Sequence, residues 1–221
     1  MADYAATLSR VEDYFDRTAT GVWARLTSDA PVSRIRQTVR AGRDRMRAVM
    51  LARLPDDLRG ARVLDAGCGT GAMTAELAAR GAQVVAVDIS PQLVGIAASR
   101  LAEALRPQVT FAAGDMTDAG LGQFDYVLAM DSLIYYQTAD IAAALTRLAP
   151  RTAQAIVFTV APRTALLMAM FTAGKLFPKR DRSPVMVPQA FDALRRAVPN
   201  LTRIERINAS FYISECLEMR P

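Results

Sequence analysis

The stretch that most constrains this chain is a loop with glycine at three alternate positions, Gly67, Gly69 and Gly71. A short apolar run that contains Asp65 precedes the loop, and an apolar pattern with helical spacing follows it. This order predicts a strand, a tight loop and a helix. Because glycine has no Cβ, the loop backbone can approach a bound ligand closely. The stretch therefore predicts a ligand site where the strand ends.

A second apolar run, Val84 to Val87, ends in Asp88. That acid lies roughly 20 residues after the loop, where a nucleotide ribose needs a hydrogen-bond acceptor. A glycine loop alone is weak evidence, because dehydrogenases carry a similar one with the spacing G-x-G-x-x-G. Here the spacing is G-x-G-x-G.

Two later stretches complete the pattern. Gly114-Asp115-Met116 places an acid after a predicted strand, and Phe124 to Met130 is a further apolar strand. With the D-x-G-x-G-x-G run from Asp65 to Gly71 and the acid Asp88, they resemble the four motifs of the class I S-adenosylmethionine (SAM) methyltransferases, in the same order. The resemblance covers roughly residues 60 to 160.

The resemblance implies that the chain binds SAM and releases S-adenosylhomocysteine (SAH). The glycines would shape the loop beside the amino-acid part of SAM, and Asp88 would accept from the ribose hydroxyls. Asp115 would hydrogen-bond the adenine amine, Met116 would pack by the ring, and Tyr14 would close over the cofactor. The implied cofactor-binding residues are Tyr14, Asp65, Gly67, Gly69, Gly71, Asp88, Ile89, Asp115, Met116 and Met130.

Strand and helix patterns alternate from about residue 60 onward. Together with the resemblance, this alternation predicts an α/β, Rossmann-like class I methyltransferase fold, with a mostly parallel seven-stranded sheet and helices on both faces. Ligands of such sheets bind beyond the carboxyl ends of the strands, where Asp65, Asp88, Asp115 and Met130 are expected. The predicted elements are strands near 62–66, 83–88, 109–112, 124–130 and 155–160, helices near 72–80, 91–105, 138–148 and 188–197, and a hairpin of 201–208 and 211–219.

Two regions are predicted, an N-terminal helical lid with a basic helix over residues 1–58 and a SAM-binding methyltransferase domain over 59–221. Aromatic residues at helical spacing near the N-terminus fit either ordinary packing or a lid over the cofactor. The domain carries a strongly apolar, substrate-side insertion at about 161–200. Because charged residues interrupt this insertion, it cannot supply the ~20 apolar residues of a spanning helix. It fits a core helix, a wall for a large apolar substrate or a surface that touches a membrane.

The clearest helix pattern lies in residues 31–54, where apolar residues recur every three or four positions. The other positions carry seven arginines against one aspartate, a net charge of +6. Such a face is either solvated, or it attracts an anionic substrate, an acidic partner or an anionic membrane surface. Nucleic acid is not expected as a partner, because the helix has no interleaved aromatic residues to stack on bases.

The chain has two cysteines, Cys68 and Cys216, and no histidine. A disulfide framework is not expected, and no metal ligands are predicted. The absence of histidine also removes the commonest general base. Because the N-terminus lacks the apolar core of a signal peptide, a cytoplasmic location without a transmembrane segment is expected.

Further similarity lies outside the four motifs, in Tyr14-Phe15 and in residues 21–26, 29–36, 131–136, 175–178, 182–184 and 211–214. These segments resemble one subfamily, the magnesium-protoporphyrin IX O-methyltransferases of bacteriochlorophyll biosynthesis. The resemblance implies methyl transfer from SAM to a propionate carboxylate of Mg-protoporphyrin IX, giving the monomethyl ester. It also implies handover of the porphyrin from the porphyrin-binding subunit of magnesium chelatase. Peripheral contact with the inner or photosynthetic membrane is a further expectation.

Cyanobacterial and plant members of this subfamily carry an assisting Tyr near the N-terminus and an assisting His after the fourth motif. This chain has Thr27 and Tyr135 at those positions. The resemblance therefore implies catalytic roles for Tyr135 and Thr27. It also implies a substrate site in which an arginine clamps a propionate. The implied substrate-binding residues are Trp23, Arg25, Arg34, Tyr136 and Arg163.

A propionic acid has a pKa of ~4.3 and is ionised at neutral pH, so its methylation needs no general base. Phenols, with a pKa near ~10, usually need one. A chain without histidine therefore fits carboxylate methylation better. Two alternatives remain open. One is an O-methyltransferase for a quinone or another small hydroxylated acceptor, and the other is a SAM- or nucleotide-binding regulator whose basic helix recruits a partner.

Overall fold

Seven strands among the described residues form one sheet. The structure, a computed structural model, describes residues 2–14, 16, 33–165, 167–169, 172 and 186–221. In the order β3-β2-β1-β4-β5-β7-β6, the pairs among β1 to β5 are parallel, and β7 is antiparallel to both of its neighbours. The predicted mostly parallel seven-stranded sheet is thereby confirmed. The strands are β1 (Arg62–Ala66), β2 (Gln83–Asp88), β3 (Val109–Ala113), β4 (Phe124–Ala129), β5 (Thr152–Val160), β6 (Leu201–Ala209) and β7 (Tyr212–Met219).

Helices cover both faces of this sheet, and short 3-10 helices at Glu103–Gln108, Ala119–Leu121 and Ala149–Arg151 lie in the connections. The α-helices are α1 (Ala2–Tyr14), α2 (Arg34–Leu51), α3 (Ala72–Ala79), α4 (Pro91–Arg100), α5 (Thr138–Leu148) and α6 (Phe191–Ala197).

Neighbouring residues of the central strands pack into different clusters, because side chains alternate along a strand. Leu64 belongs to a buried cluster with residues of α5 and α6, whereas Val63 packs with residues of α2 and α3. Met46 and Met50 of α2 are fully buried in the second cluster. The apolar side of the basic helix is therefore part of the core of the sheet. The predicted division of the chain at residues 58 and 59 stays a prediction.

Helices α2, α4 and α6 are shorter than the sequence patterns predict. The helix predicted over 91–105 ends at Arg100, because Leu101 is extended and a 3-10 helix containing Pro107 follows. The helix predicted from residue 188 begins at Phe191, because Gln189 forms an isolated parallel bridge with Pro162. The basic helix predicted over 31–54 spans Arg34–Leu51, and the side chain of Ser33 accepts from the backbone N–H of Arg36 at its start.

Residues 187 and 189 of the predicted insertion are hydrogen-bonded to the chain that follows β4. The amide nitrogen of the buried Gln189 side chain donates to the carbonyl oxygen of Tyr136 at 2.8 Å, and its oxygen accepts from Thr138 Oγ1 at 2.8 Å. Val187 N also donates to the carbonyl oxygen of Ile134 at 2.8 Å. Residues 186–189 therefore help to position the chain around Tyr136. In the part of the chain that the structure describes, no helix combines the length and apolarity that crossing a membrane requires.

Candidate active site

A cavity of about 340 Å³ lies beyond the carboxyl ends of β1, β2 and β4. Its walls come from the glycine loop, from the loop after β4 and from α1 and α2. This is the edge of a parallel sheet at which ligands bind. We call it the central cavity.

The glycine loop forms the floor of the central cavity and is held by backbone contacts. Gly67, Gly69 and Gly71 all have positive φ, at 84°, 54° and 87°. The backbone nitrogens of Gly67 and Cys68 both donate to the carbonyl oxygen of Val87, at 2.8 and 2.9 Å. A Cβ on Gly69 would meet nothing within 4 Å, so this part of the loop leaves space for a ligand. Gly71 lies directly before α3 and does not line the cavity.

Asp88 joins the end of β2 to the glycine loop. Its Oδ2 accepts from Gly69 N at 2.8 Å and its Oδ1 accepts from Ser90 N at 3.0 Å. Burial raises the pKa of the Asp88 carboxyl, and the two backbone donors oppose that rise. Each carboxylate oxygen has room for more than one donor. Asp88, which lines the central cavity beside Ile89, can therefore still accept from ligand hydroxyls.

Asp65 lies at the end of β1, 1% exposed, and accepts from Thr74 Oγ1 at 2.5 Å. Burial, with a smaller contribution from Asp88, raises the pKa of the Asp65 carboxyl to about 7. The side chain also lines the central cavity. A cationic ligand group beside the glycine loop would therefore favour the ionised form of Asp65.

Asp115 is engaged by the protein itself. Its Oδ1 accepts from Tyr4 Oη at 2.9 Å, from Thr117 N at 2.8 Å and from Thr117 Oγ1 at 2.9 Å. Gly114 and Met116 line the central cavity, but Asp115 does not. The contact of Asp115 with the adenine amine stays a prediction. Since all three of these hydrogen bonds go to Oδ1, such a contact would use Oδ2.

Helix α1 covers the central cavity, with Leu8 and Val11 on its wall. The ring of Tyr4 stacks on that of Tyr136 with the centroids 5.0 Å apart. Tyr14 packs in a cluster with Val11 and Leu93 and is not part of the cavity wall, and its predicted closure over the cofactor stays a prediction. Among the described residues of α1, Leu8 and Val11 therefore reach the cavity.

The loop after β4 carries a constellation that the sequence analysis did not assign to the site. Asp131, directly after the cavity-lining Met130, has a positive φ of 56°. Its Oδ2 lies 2.8 Å from Arg43 Nη1, and its Oδ1 accepts from Tyr212 Oη at 3.0 Å. Its backbone nitrogen donates to Thr159 Oγ1 at 2.7 Å. The resemblance to the subfamily included residues 131–136, which was a signal for this loop but not for its partners.

Three comparisons with known proteins bear on this site. A family profile described as the magnesium-protoporphyrin IX methyltransferase C-terminus matches residues 129–221, and one described as a methyltransferase domain matches residues 63–154. The chain is 65% identical to the magnesium-protoporphyrin O-methyltransferase of Rhodobacter capsulatus, across 100% of this chain and 99% of that one. The chain belongs to the magnesium-protoporphyrin O-methyltransferase family.

Solved structures of this family share the fold. The magnesium protoporphyrin IX methyltransferase of Synechocystis with bound SAH has a TM-score of 0.80 and 30% identity, over 96% of this chain and 98% of that one. The same enzyme with bound SAM has a TM-score of 0.77 and 27% identity, over 97% and 96% of the two chains. The predicted class I methyltransferase fold is confirmed.

Some of the residues predicted to contact the acceptor line the central cavity, and others do not. Tyr135 and Tyr136 line the central cavity. Arg34 and Arg163 are exposed and are not part of its wall. Arg34 starts α2, whereas the helix reaches the cavity only from Arg40 onward, some 9 Å further along at 1.5 Å per residue. Arg163 lies beside the bridge between Pro162 and Gln189. Trp23, Arg25 and Thr27, with residues 175–178 and 182–184, lie outside the described residues.

Helix α2 supplies other arginines to the site. Arg40, Arg43 and Arg47 line the central cavity, so the alternative in which the basic face attracts an anionic ligand has a structural basis. No group of three acidic, cysteine or histidine side chains is placed to hold a metal ion in the part of the chain that is described.

Proposed function

We propose that the protein transfers a methyl group from SAM to a propionate carboxylate of Mg-protoporphyrin IX, giving the monomethyl ester and SAH in bacteriochlorophyll biosynthesis. The observation that carries this proposal is the 65% identity over the full chain to the Rhodobacter capsulatus enzyme. The cavity supports it independently, because a glycine loop and an acidic strand end meet a cationic helix there.

The residues of the cavity fit SAM. The open space above Gly69 allows close approach of a ligand to the loop, and Asp88 offers acceptors for the ribose hydroxyls. Gly114 and Met116 line the neighbouring wall, where the adenine would lie. Bound SAM supplies the methyl group on a positively charged sulfur.

The protein's own task is to align the acceptor and to exclude water. A propionate is already ionised at neutral pH, since its pKa is ~4.3. Burial raises the pKa of Tyr135 and that of Tyr136 above the ordinary value, so both phenols stay protonated at neutral pH. Alignment of two reacting groups can contribute ~7–11 kcal/mol. The walls formed by α1 and by the loop after β4 serve this task.

A turnover assay tests the proposal. Purified protein, SAM and Mg-protoporphyrin IX are incubated, and the pigment is analysed by chromatography and mass spectrometry. We expect a new monomethyl ester. Intact SAM binding without ester would redirect the search to quinone-type acceptors. Binding without turnover on any acceptor would favour the regulator.

SAM binding is expected to weaken about fivefold between pH 7 and pH 6. The folded Asp65 has a pKa of about 7, above its ordinary value. A cationic group of SAM favours the ionised form of the Asp65 carboxyl. SAM binding therefore releases a proton, and a lower pH weakens the binding. Calorimetry at both pH values measures the change. In the Asp65→Asn variant, the pH dependence of SAM affinity should shrink to the part that arises from the titration of Asp88. An unchanged pH profile in that variant would contradict the assignment.

Tyr135→Phe is expected to keep kcat within about threefold, because an ionised acceptor needs no proton transfer and phenylalanine preserves the packed ring. Steady-state kinetics measures the effect, with Tyr136→Phe as a matched comparison from the same cavity wall. A hundredfold loss of kcat in Tyr135→Phe alone would establish a catalytic role for its hydroxyl.

Delivery of the porphyrin involves surfaces beyond the cavity. We propose handover from the porphyrin-binding subunit of magnesium chelatase and peripheral contact of a cytoplasmic protein with the membrane. The start of α2 supports the second part, because Ile35 is 52% exposed between the exposed Arg34 and Arg36. Sedimentation with phosphatidylglycerol vesicles at low and high salt tests the contact. Preloaded chelatase subunit, compared with free pigment as acceptor source, tests the handover.

A further inference from the structure

The wall that α2 contributes to the central cavity is cationic. Arg40, Arg43 and Arg47 line the cavity, and residues three and four apart are neighbours on one side of a helix. The adjoining side carries Met46 and Met50, which are fully buried in the core. The packing of α2 therefore fixes the position of its arginines.

Arg43 is held at the cavity by a carboxylate that β5 and β7 position. The salt bridge from Arg43 Nη1 to Asp131 Oδ2 measures 2.8 Å, and the two side chains are 20% and 8% exposed. Tyr212 of β7 donates to Oδ1 of the same carboxylate, and Thr159 of β5 accepts from the Asp131 backbone. The guanidinium is thus oriented before any ligand arrives.

The backbone of Asp131 has a left-handed conformation, with φ at 56°. Aspartate and asparagine are among the few non-glycine residues that adopt it readily. Backbone strain of this kind concentrates at ligand sites. Here it places the carboxylate directly after Met130, where β4 reaches the central cavity.

Charge makes a cation necessary at this wall for an anionic acceptor. Asp44, Asp65, Asp88 and Asp131 all line the cavity. Like charges in one cavity oppose the entry of another carboxylate unless a cation faces it. A guanidinium has five N–H donors in a planar fork, which suits carboxylate binding on one edge while another nitrogen keeps its ion pair.

We propose that Arg43, oriented by Asp131, binds the acceptor's carboxylate, with Asp131 as its positioning residue and with Arg40 and Arg47 extending the cationic wall. This inference deepens the proposed function and rests on it for the identity of the acceptor. It replaces the exposed Arg34 and Arg163 as clamps for the propionate.

SAM also carries a carboxylate, and the anchoring of Arg43 bears on which of the two carboxylates it binds. The glycine loop and Asp88 follow β1 and β2, whereas the partners of Asp131 lie on β5 and β7, beyond β4. Arg43 is therefore anchored on the side of the sheet away from Asp88, the predicted ribose contact. This anchoring favours the acceptor's carboxylate, and the SAH affinity of the variants separates the two sources.

Binding titrations test the proposal with porphyrin fluorescence as the readout. Mg-protoporphyrin IX is compared with its dimethyl ester, which lacks both carboxylates. Wild-type protein should prefer the diacid by about tenfold to a hundredfold, the size of a charge-assisted contact. The double variant Arg43→Gln, Asp131→Asn should lose this preference. It leaves no buried carboxylate without its cation, and asparagine tolerates the left-handed backbone.

Arg45→Gln is the matched control, because Arg45 lies on the same helix, is 66% exposed and pairs with Glu205. It should keep the full preference. The single variant Asp131→Asn, which disturbs the orientation of Arg43, should show a reduced preference. Circular dichroism and thermal melting establish that each variant is folded, and SAH affinity by calorimetry should stay within about twofold of wild type in all of them.

Equal binding of diacid and diester by wild type, or a preference that survives in the double variant, would overturn the proposal. A fall in SAH affinity with the preference intact would also overturn it and assign Arg43 to the cofactor's carboxylate. The proposed function fails separately, because absence of the monomethyl ester in the turnover assay leaves the two binding constants measurable. Loss of the preference in the double variant would then still support Arg43 as a carboxylate-binding residue.

Discussion

Replacing Gly67 by alanine is expected to destabilise the protein by about 2–5 kcal/mol and to remove measurable SAM binding. A Cβ at this position would lie 2.4 Å from Ser132 Cβ, with φ at +84°. The backbone strain contributes about 1–2 kcal/mol and the overpacking about 1–3 kcal/mol. Because Ser132 follows Asp131, relief of the clash would also move the loop that closes the acceptor side.

Gly60 provides the control for this experiment. Its φ of +83° is nearly the same, yet a Cβ there would meet nothing within 4 Å. Gly60→Ala should therefore lose only the about 1–2 kcal/mol of backbone strain and should bind SAM normally. Denaturant unfolding of both variants, with calorimetry for SAM, measures the difference. Equal losses of stability would mean that the contact with Ser132 is relieved without energetic consequence.

Asp88→Asn is expected to weaken SAM binding by about a hundredfold, because the acceptors of the ribose contacts lose their charge. The same change disturbs the loop. An asparagine has a single acceptor oxygen, so it cannot accept from both Gly69 N and Ser90 N as the carboxylate does. Unfolding free energy should therefore fall by about 1–3 kcal/mol. Calorimetry with SAM and denaturant titration measure the two effects.

Asp57→Asn is a suitable control, because Asp57 lies on the surface and pairs with Arg59 outside the cavity. It should bind SAM as the wild type does. Unchanged SAM affinity in a folded Asp88→Asn variant would remove the ribose assignment and leave Asp88 as a purely structural acceptor for the glycine loop.

The place of the glycine loop and of the acids beside it was predictable because their determinants are local in sequence. Each of these residues lies at or directly after the end of a strand that its apolar run alone predicts. They are Asp65, Gly67, Gly69 and Asp88. The parallel topology then brings these ends together at one edge. The same logic predicted the strands β1 and β2 with their observed bounds.

The acceptor half depends on pairings that no local pattern records. Asp131, Arg43 and Tyr212 come from three distant segments and meet only in the folded sheet. Tyr4 similarly reaches Asp115 from a distant segment, and no local pattern predicts this contact. The arginine face of residues 31–54 was recognised, but which arginines face the cavity follows from how Met46 and Met50 pack. Helix α6 starts late for the same reason, because a bridge between Pro162 and Gln189 overrides the local preference.

The place of β7 in the sheet limits when the sheet can be completed during synthesis. Although β7 follows β6 along the chain, it lies between β5 and β6 and pairs with both. While the ribosome is still adding residues before Tyr212, β5 presents an open edge, and β6 has no partner in this sheet. Asp131 at that stage also lacks the Tyr212 hydroxyl. A nascent chain can therefore complete the acceptor side only after β7 has left the exit tunnel.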